Sequence, residues 1–281
     1  MVIFVCYQTY GSYLSGVRKS NAIMIDVRQI TKTYNLSKQQ KKELQTTANS
    51  INAVNNITFN CEPGRVFSLL GPNGAGKTTT LRMMSTILVP TSGSMTIAGH
   101  DVEKEPESVR TKTGFLTGST NLYDRLNPSE IVQYFGRLYG MTEKAIEQRM
   151  DALFTQLGIH DFSTKKIGQM STGMKQKVSI ARSMIHDPEV VIFDEPTSGL
   201  DVITANSIID LIKRCKDEGK TVIFSSHIMS EVDLLCDDLA IIAKGDLVFN
   251  DSMANFRSQY KDISLTEAFI NIVNENSAVS A

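Results

Sequence analysis

Charge of one sign is missing from this sequence: 29 Lys and Arg stand against 30 Asp and Glu, for a formal net charge of −1 over 281 residues. No global basic field therefore points to nucleic acid or an anionic lipid surface as the partner. Cysteine is scarce, and the four present (Cys6, Cys61, Cys215 and Cys236) form no CxxC pair. A disulfide or zinc framework is not expected, and a reducing setting is. Cys61, Cys215 and Cys236 stand in apolar segments and are expected in the core. No run approaches the ~20 apolar residues that cross a bilayer. The apolar start, 1–6, is soon broken by Gln8, Ser12 and Arg18, and it shows neither a basic leader nor a small-residue cleavage site. Residues 1–23 are expected to form a flexible extension, and any membrane role needs a partner. Internal repeats are absent too. His100, His160 and His186 have no spacing suited to a metal and are expected on the surface.

What is present is ordinary globular material, with 41% hydrophobic and 21% charged residues. Rough alternation of β-branched residues predicts strands at 24–28 and 51–61, with a polar, Lys- and Gln-rich surface insertion at 35–50 between them. Further short strands are expected at 66–70, 94–98, 113–116, 190–193, 221–224, 239–242 and 247–249. Helices are expected at about 77–88, 202–217 and 228–235, with a last one at 264–273. From about 119 to 172 helical spacing dominates (Ile131, Tyr134, Phe135, Leu138), and Asn127-Pro128-Ser129-Glu130 reads as a helix start. The pattern is an α/β core at 24–263 interrupted by a helical insert, followed by a tail at 264–281.

The sharpest motif is Gly71-Pro72-Asn73-Gly74-Ala75-Gly76-Lys77-Thr78, a match to GxxxxGK[ST] placed between an apolar strand and a helix. Glycines let successive backbone N–H groups curl around phosphate oxygens, and the helix N-terminus adds positive potential. Lys77 would reach the β- and γ-phosphates, and the Thr78 hydroxyl would ligate Mg²⁺. The second motif is Val190-Val191-Ile192-Phe193-Asp194-Glu195, an apolar strand that ends in two carboxylates at the edge where parallel sheets bind ligands. Asp194 suits Mg²⁺, and Glu195 suits a general base that polarises the attacking water.

A third segment, Met170-Ser171-Thr172-Gly173-Met174-Lys175-Gln176-Lys177, resembles the signature of ABC-type ATPases and precedes Asp194-Glu195 by the family's interval. The resemblance extends over nearly all of 24–269 and is closest to exporter-type subunits, including bacterial sodium and drug efflux ATPases. It implies a phosphate-loop core with an antiparallel β subdomain and an inserted helical subdomain, and an ATPase that energises a separate membrane permease on its cytoplasmic face. It also implies a head-to-tail dimer with a second copy or a paralogous subunit. ATP held by 71–79, Thr79 included, would be capped by Ser171 and Gly173 of the other subunit. Further roles follow from it for Asp201 at the dimer interface, His227 near the γ-phosphate and Tyr34 stacked on adenine. Within the helical insert, about 119–172, the segment at about 121–139 is expected to dock the permease through Leu122, Tyr123 and Leu126 beside Asp124 and Arg125. Gly118 stands where the family usually has a glutamine, which implies slow turnover by the subunit alone. The alternative class is a soluble ABC-type ATPase acting on nucleic acid or the ribosome. Such proteins usually carry coiled-coil inserts, zinc modules or fused cassettes, and this chain shows none.

Overall fold

The computed structural model describes residues 23–43, 45–117 and 122–279. Gly118, Asn121 and all of the expected N-terminal extension except Ile23 lie outside these. Two sheets form the frame. The first is antiparallel, in the order β2 (Ser50–Cys61), β1 (Ile25–Asn35), β4 (Ser92–Ile97), β5 (His100–Asp101). The second runs β10 (Asp246–Ser252), β9 (Asp238–Ala243), β3 (Val66–Leu70), β8 (Thr221–Ser226), β7 (Val190–Asp194), β6 (Thr113–Leu116). All its neighbours are parallel except β10, which closes the edge as a hairpin with β9.

The central strands are apolar runs without alternation because both faces are covered. Every residue of β3, β7 and β8 is buried. Phe67, Leu69, Val190, Ile192 and Ile223 turn toward the antiparallel sheet, where they join Ile25, Val27 and Phe59 and the phosphate-loop helix α2 (Lys77–Met84; α1 is Lys38–Glu43). Val66, Leu70, Val191, Phe193, Val222 and Phe224 turn the other way. They pack against α6 (Thr172–Met184), α7 (Val202–Asp217) and α8 (Met229–Leu235). A layered α/β molecule results, and the C-terminal ends of β3, β7 and β8 converge on one edge.

The insert contains α4 (Pro128–Leu138) and α5 (Glu143–Leu157). Asn127 caps α4 with a reciprocal pair of bonds: its side chain accepts from the Glu130 N–H at 2.9 Å, and the Glu130 carboxylate accepts from the Asn127 N–H at 2.8 Å. A small cluster of Ile131, Ile167, Met170 and Val178 ties the insert to the start of α6.

Several elements differ from the sequence expectation. β1 runs on to Asn35, past shifts in register after Val27, Ile30 and Lys32; these bulges break the alternation and hide the extension. α2 stops at Met84, and Thr86 takes a left-handed φ of 61°. The 35–50 insertion holds α1, none of whose residues is buried. α3 (Pro106–Lys112), β5 and α9 (Met253–Gln259) were not foreseen, and α10 (Leu265–Val279) outruns the expected tail helix. His186 is half-buried, its ring stacked on Tyr139 at 3.7 Å, and burial pulls its pKa down to about 4. Cys61, Cys215 and Cys236 are buried as expected, and burial raises each thiol to about 12.

Candidate functional site

The turn after β3 is built on close approaches that only glycine allows. A Cβ on Gly76, whose φ is 110°, would run into the Ala53 carbonyl oxygen on β2. One on Gly71 would meet the Ile242 carbonyl oxygen on β9. Both sheets therefore clamp the loop, and α2 starts at once with its free N–H groups pointing out of it.

Lys77 opens α2 and is 4% exposed. Its ammonium donates to the carbonyls of Gly71 at 2.7 Å and Pro72 at 3.2 Å, and it lies 3.7 Å from Glu195 Oε1. Burial lowers its pKa, and the charges of Glu195 and Asp194 oppose that shift. Next along α2, the Thr78 hydroxyl donates to Asp194 Oδ1 at 3.0 Å. Asp194 is the last residue of β7 and is buried; the same Oδ1 accepts a second bond from Ser225 Oγ at 2.8 Å.

Glu195 adopts φ 48°, a left-handed conformation that a non-glycine residue rarely takes. Its N–H is held by Ser225, at 3.0 Å from the hydroxyl and 3.2 Å from the carbonyl. The resulting sharp bend sets its carboxylate between Lys77 and His227, whose Nδ1 is 3.4 Å from Glu195 Oε2. Ser225 thus fixes the Asp194 carboxylate and the Glu195 backbone, a role absent from the sequence expectation. The available signal was a serine pair, Ser225-Ser226, ending a strand buried at every position, where polar atoms need partners. Ser226 finds its own in Glu231, to which it donates at 3.0 Å.

These groups border a cavity of about 510 Å³, lined by the loop from Asn73 to Thr79 with Ala53, Arg82, Thr117, Asp194 and Glu195. Its chemistry is that of a polyanion site: loop N–H groups and a buried ammonium on one wall, two carboxylates on the other. Thr78 and Asp194 present adjacent hard oxygens there, the donor type that Mg²⁺ takes alongside phosphate. Among the described residues no group of three or more His, Cys, Asp or Glu could hold a metal by itself.

Of the predicted residues, Gly71, Pro72 and His227 adjoin this cavity without lining it, and Ser171, Gly173, Asp201 and Tyr34 are also absent from its lining. Ser171 caps α6, its Oγ accepting from the Met174 N–H at 3.3 Å. Asp201 caps α7: it accepts from the Thr204 N–H at 3.0 Å and hydroxyl at 2.8 Å, bonds that hold its carboxyl below the usual range. A Cβ on Gly173 would come within 3.0 Å of Thr204 Oγ1, so the starts of α6 and α7 lie side by side. Val202 and Ile203 follow at once and are 75% and 80% exposed. Gln176 donates to the Pro196 carbonyl at 3.0 Å, linking α6 to the turn after Glu195. Tyr34, on β1, is 37% exposed and pairs with Ile51, two residues from Ala53 on β2.

In the segment expected to dock the permease, the two leucines are partly buried. Leu122 and Leu126 pack against the cluster around Ile131 and Met170, and the Leu126 carbonyl accepts from the Ile167 N–H at 2.9 Å. Tyr123, Asp124 and Arg125 remain exposed.

Comparison with known proteins places this geometry. Residues 54–198 match the family model described as ABC transporter, and residues 165–233 also match one described as an AAA domain. The chain is 40% identical over 230 residues to the ABC transporter ATP-binding protein NatA of Bacillus subtilis, an overlap of 82% of this chain and 94% of that one. It is 33% identical over 222 residues to the linearmycin resistance ATP-binding protein LnrL of the same organism, covering 79% and 71% of the two chains. Among solved structures, a dimeric bacterial ABC transporter cassette has a TM-score of 0.72 at 25% identity, over 82% of this chain and 99% of that one.

Proposed function

The chain belongs to the ABC transporter family as an ATP-binding, ATP-hydrolysing subunit, and on that premise we propose how its residues divide the work of powering an exporter. ATP lies with its phosphates in the cavity above Lys77. Thr78 and Asp194 would hold Mg²⁺, which would supply neutralisation of phosphate charge. Glu195 accepts the proton of the attacking water, and His227 faces the γ-phosphate beside it. Tyr34 takes the adenine.

The observation that carries the reading is that the site is half a site. Lys77, Thr78, Asp194 and Glu195 line one cavity, with His227 against Glu195, whereas Ser171, Gly173 and Asp201 gather elsewhere, beside exposed Val202 and Ile203. A second copy placed head to tail brings the second group over the first. Hydroxyl, bare glycine N–H and helix start then make another anion-binding surface on the far side of the phosphates.

Among the described residues no helix is long and apolar enough to cross a membrane; likeness to an ABC transporter ATP-binding protein supports a transport path in a separate integral membrane subunit. This chain sits against it at the cytoplasmic face of the membrane, through Tyr123, Asp124 and Arg125. Export is the direction favoured by resemblance to a resistance ATP-binding protein. The test is co-purification. Arg125→Glu should release the membrane partner and abolish transport without changing the ATP turnover of the isolated subunit. Retention of both partner and transport would move the docking surface elsewhere.

A further inference from the structure

Lys32 and Tyr34 lie two residues apart on β1, close to where the antiparallel sheet borders the phosphate cavity. The Lys32 ammonium is over the Tyr34 ring, 5.5 Å from its centroid. It also donates to the Val89 carbonyl at 2.6 Å. Val89 belongs to the segment that leaves α2, the helix whose first turn completes the phosphate loop. The same segment is stitched to β1 by the Thr91 N–H, which donates to the Thr31 carbonyl at 2.8 Å, and by the Thr33 N–H, which donates to Thr91 Oγ1 at 3.0 Å.

This arrangement bears on the base of the nucleotide. Tyr34 is paired with Ile51, and Ala53, two positions along β2, lines the cavity. At ~3.4 Å per strand residue, the Ile51 position that faces Tyr34 is about 7 Å along β2 from Ala53, which sets Tyr34 near the cavity on the side away from the loop's helix. A tyrosine with 37% of its surface exposed would otherwise lose rotamer freedom on stacking, which weakens binding. A cation over one face of the ring is attracted by its quadrupole. It can cover only one face, so this contact does not itself occupy the opposite one. The cation is itself held, because the Val89 carbonyl fixes its position.

We propose that Lys32 is a positioning residue for the nucleotide base: pinned by the Val89 carbonyl, it holds the Tyr34 ring by one face so that the other is set to stack on a purine. The backbone that carries the phosphate loop then also sets the distance from loop to base. This rests on the reading of Tyr34 as the base contact, and the experiment separates the two.

Dissociation constants for Mg·ATP and for Mg·tripolyphosphate, which has no base, are measured on the full chain and on Lys32→Met, Lys32→Arg and Tyr34→Ala. Steady-state kinetics with ATP accompany them. Lys32→Met should weaken ATP binding by about two- to five-fold, the range of a partly exposed cation–π contact. Tripolyphosphate binding should stay unchanged, KM should rise without a matching fall in kcat, and Lys32→Arg should restore ATP affinity. Equal weakening of both probes would reduce Lys32 to a general support of the strand and overturn the proposal. Parental ATP affinity in Lys32→Met would also overturn it, and if Tyr34→Ala still weakens ATP alone, the Lys32 inference fails by itself. Parental ATP affinity in Tyr34→Ala would remove the base contact and the Lys32 inference together.

Discussion

Glu195→Gln should bind Mg·ATP as tightly as the parent but turn it over at least about a hundred-fold more slowly, the lower end of what loss of a general base costs. Glutamine has the same shape and leaves the bend at φ 48° and its two bonds to Ser225 in place. What it lacks is a carboxylate oxygen able to take a proton from water. The contacts that retain the phosphates, from the loop N–H groups and Lys77, are untouched. ATP should therefore stay bound with its two covering surfaces closed, and the variant should elute as a dimer on size exclusion with ATP. Adding Ile203→Asp should return it to a monomer, since a charge would replace an apolar side chain that is 80% exposed in the single chain and buried in the proposed contact. Parental turnover in Glu195→Gln would remove Glu195 from the role of base.

Lys77→Ala should weaken ATP binding by about ten- to a hundred-fold, equivalent to ~1.5–3 kcal/mol for bonds from a charged donor. Without nucleotide, Lys77 is not idle: it donates to the Gly71 and Pro72 carbonyls and faces Glu195. The substitution leaves both carbonyls short of a donor, so the free protein should lose some thermal stability while its circular dichroism stays parental. Unchanged affinity in a Mg·ATP titration would sink the phosphate assignment.

The parts of the site that could be read from the sequence are those in which chemistry and position are contiguous. The phosphate loop and Asp194-Glu195 each occupy a few adjacent residues at the end of an apolar strand, and the strand itself dictates the edge on which they emerge. Ser225 escaped notice because its partners are 31 and 30 residues away, on the neighbouring strand β7 and just past its end. Serine alone carries no such signal. The central strands were legible because burial on both faces leaves an uninterrupted apolar run, and α4 because its periodicity is sustained and its start is capped. β1 past Arg28 was not, since its register shifts destroy the two-residue period. α3 and α9 are 7 residues each, with only Val109 buried in the first and Met253 and Phe256 in the second. That is too little burial to imprint a helical stripe. Leu122 and Leu126 show what spacing alone leaves out: apolar residues beside charges suggest a groove with a polar rim, and both pack, partly buried, against the Ile131 and Met170 cluster.

The composite site is tested most directly by mixing two variants that are each inactive. Lys77→Ala disables the phosphate loop but leaves Ser171 and Gly173 intact; Ser171→Arg blocks the surface offered to the other copy but leaves its own loop intact. In a head-to-tail pair of one of each, one site has both defects and the other has none. Equal mixing should yield mixed dimers as about half of the total, each with one sound site of two, and so recover up to about a quarter of parental ATP turnover. Mixtures that stay inactive at every ratio, although both variants are folded and Ser171→Arg still binds ATP, would contradict a site shared between two copies of this chain.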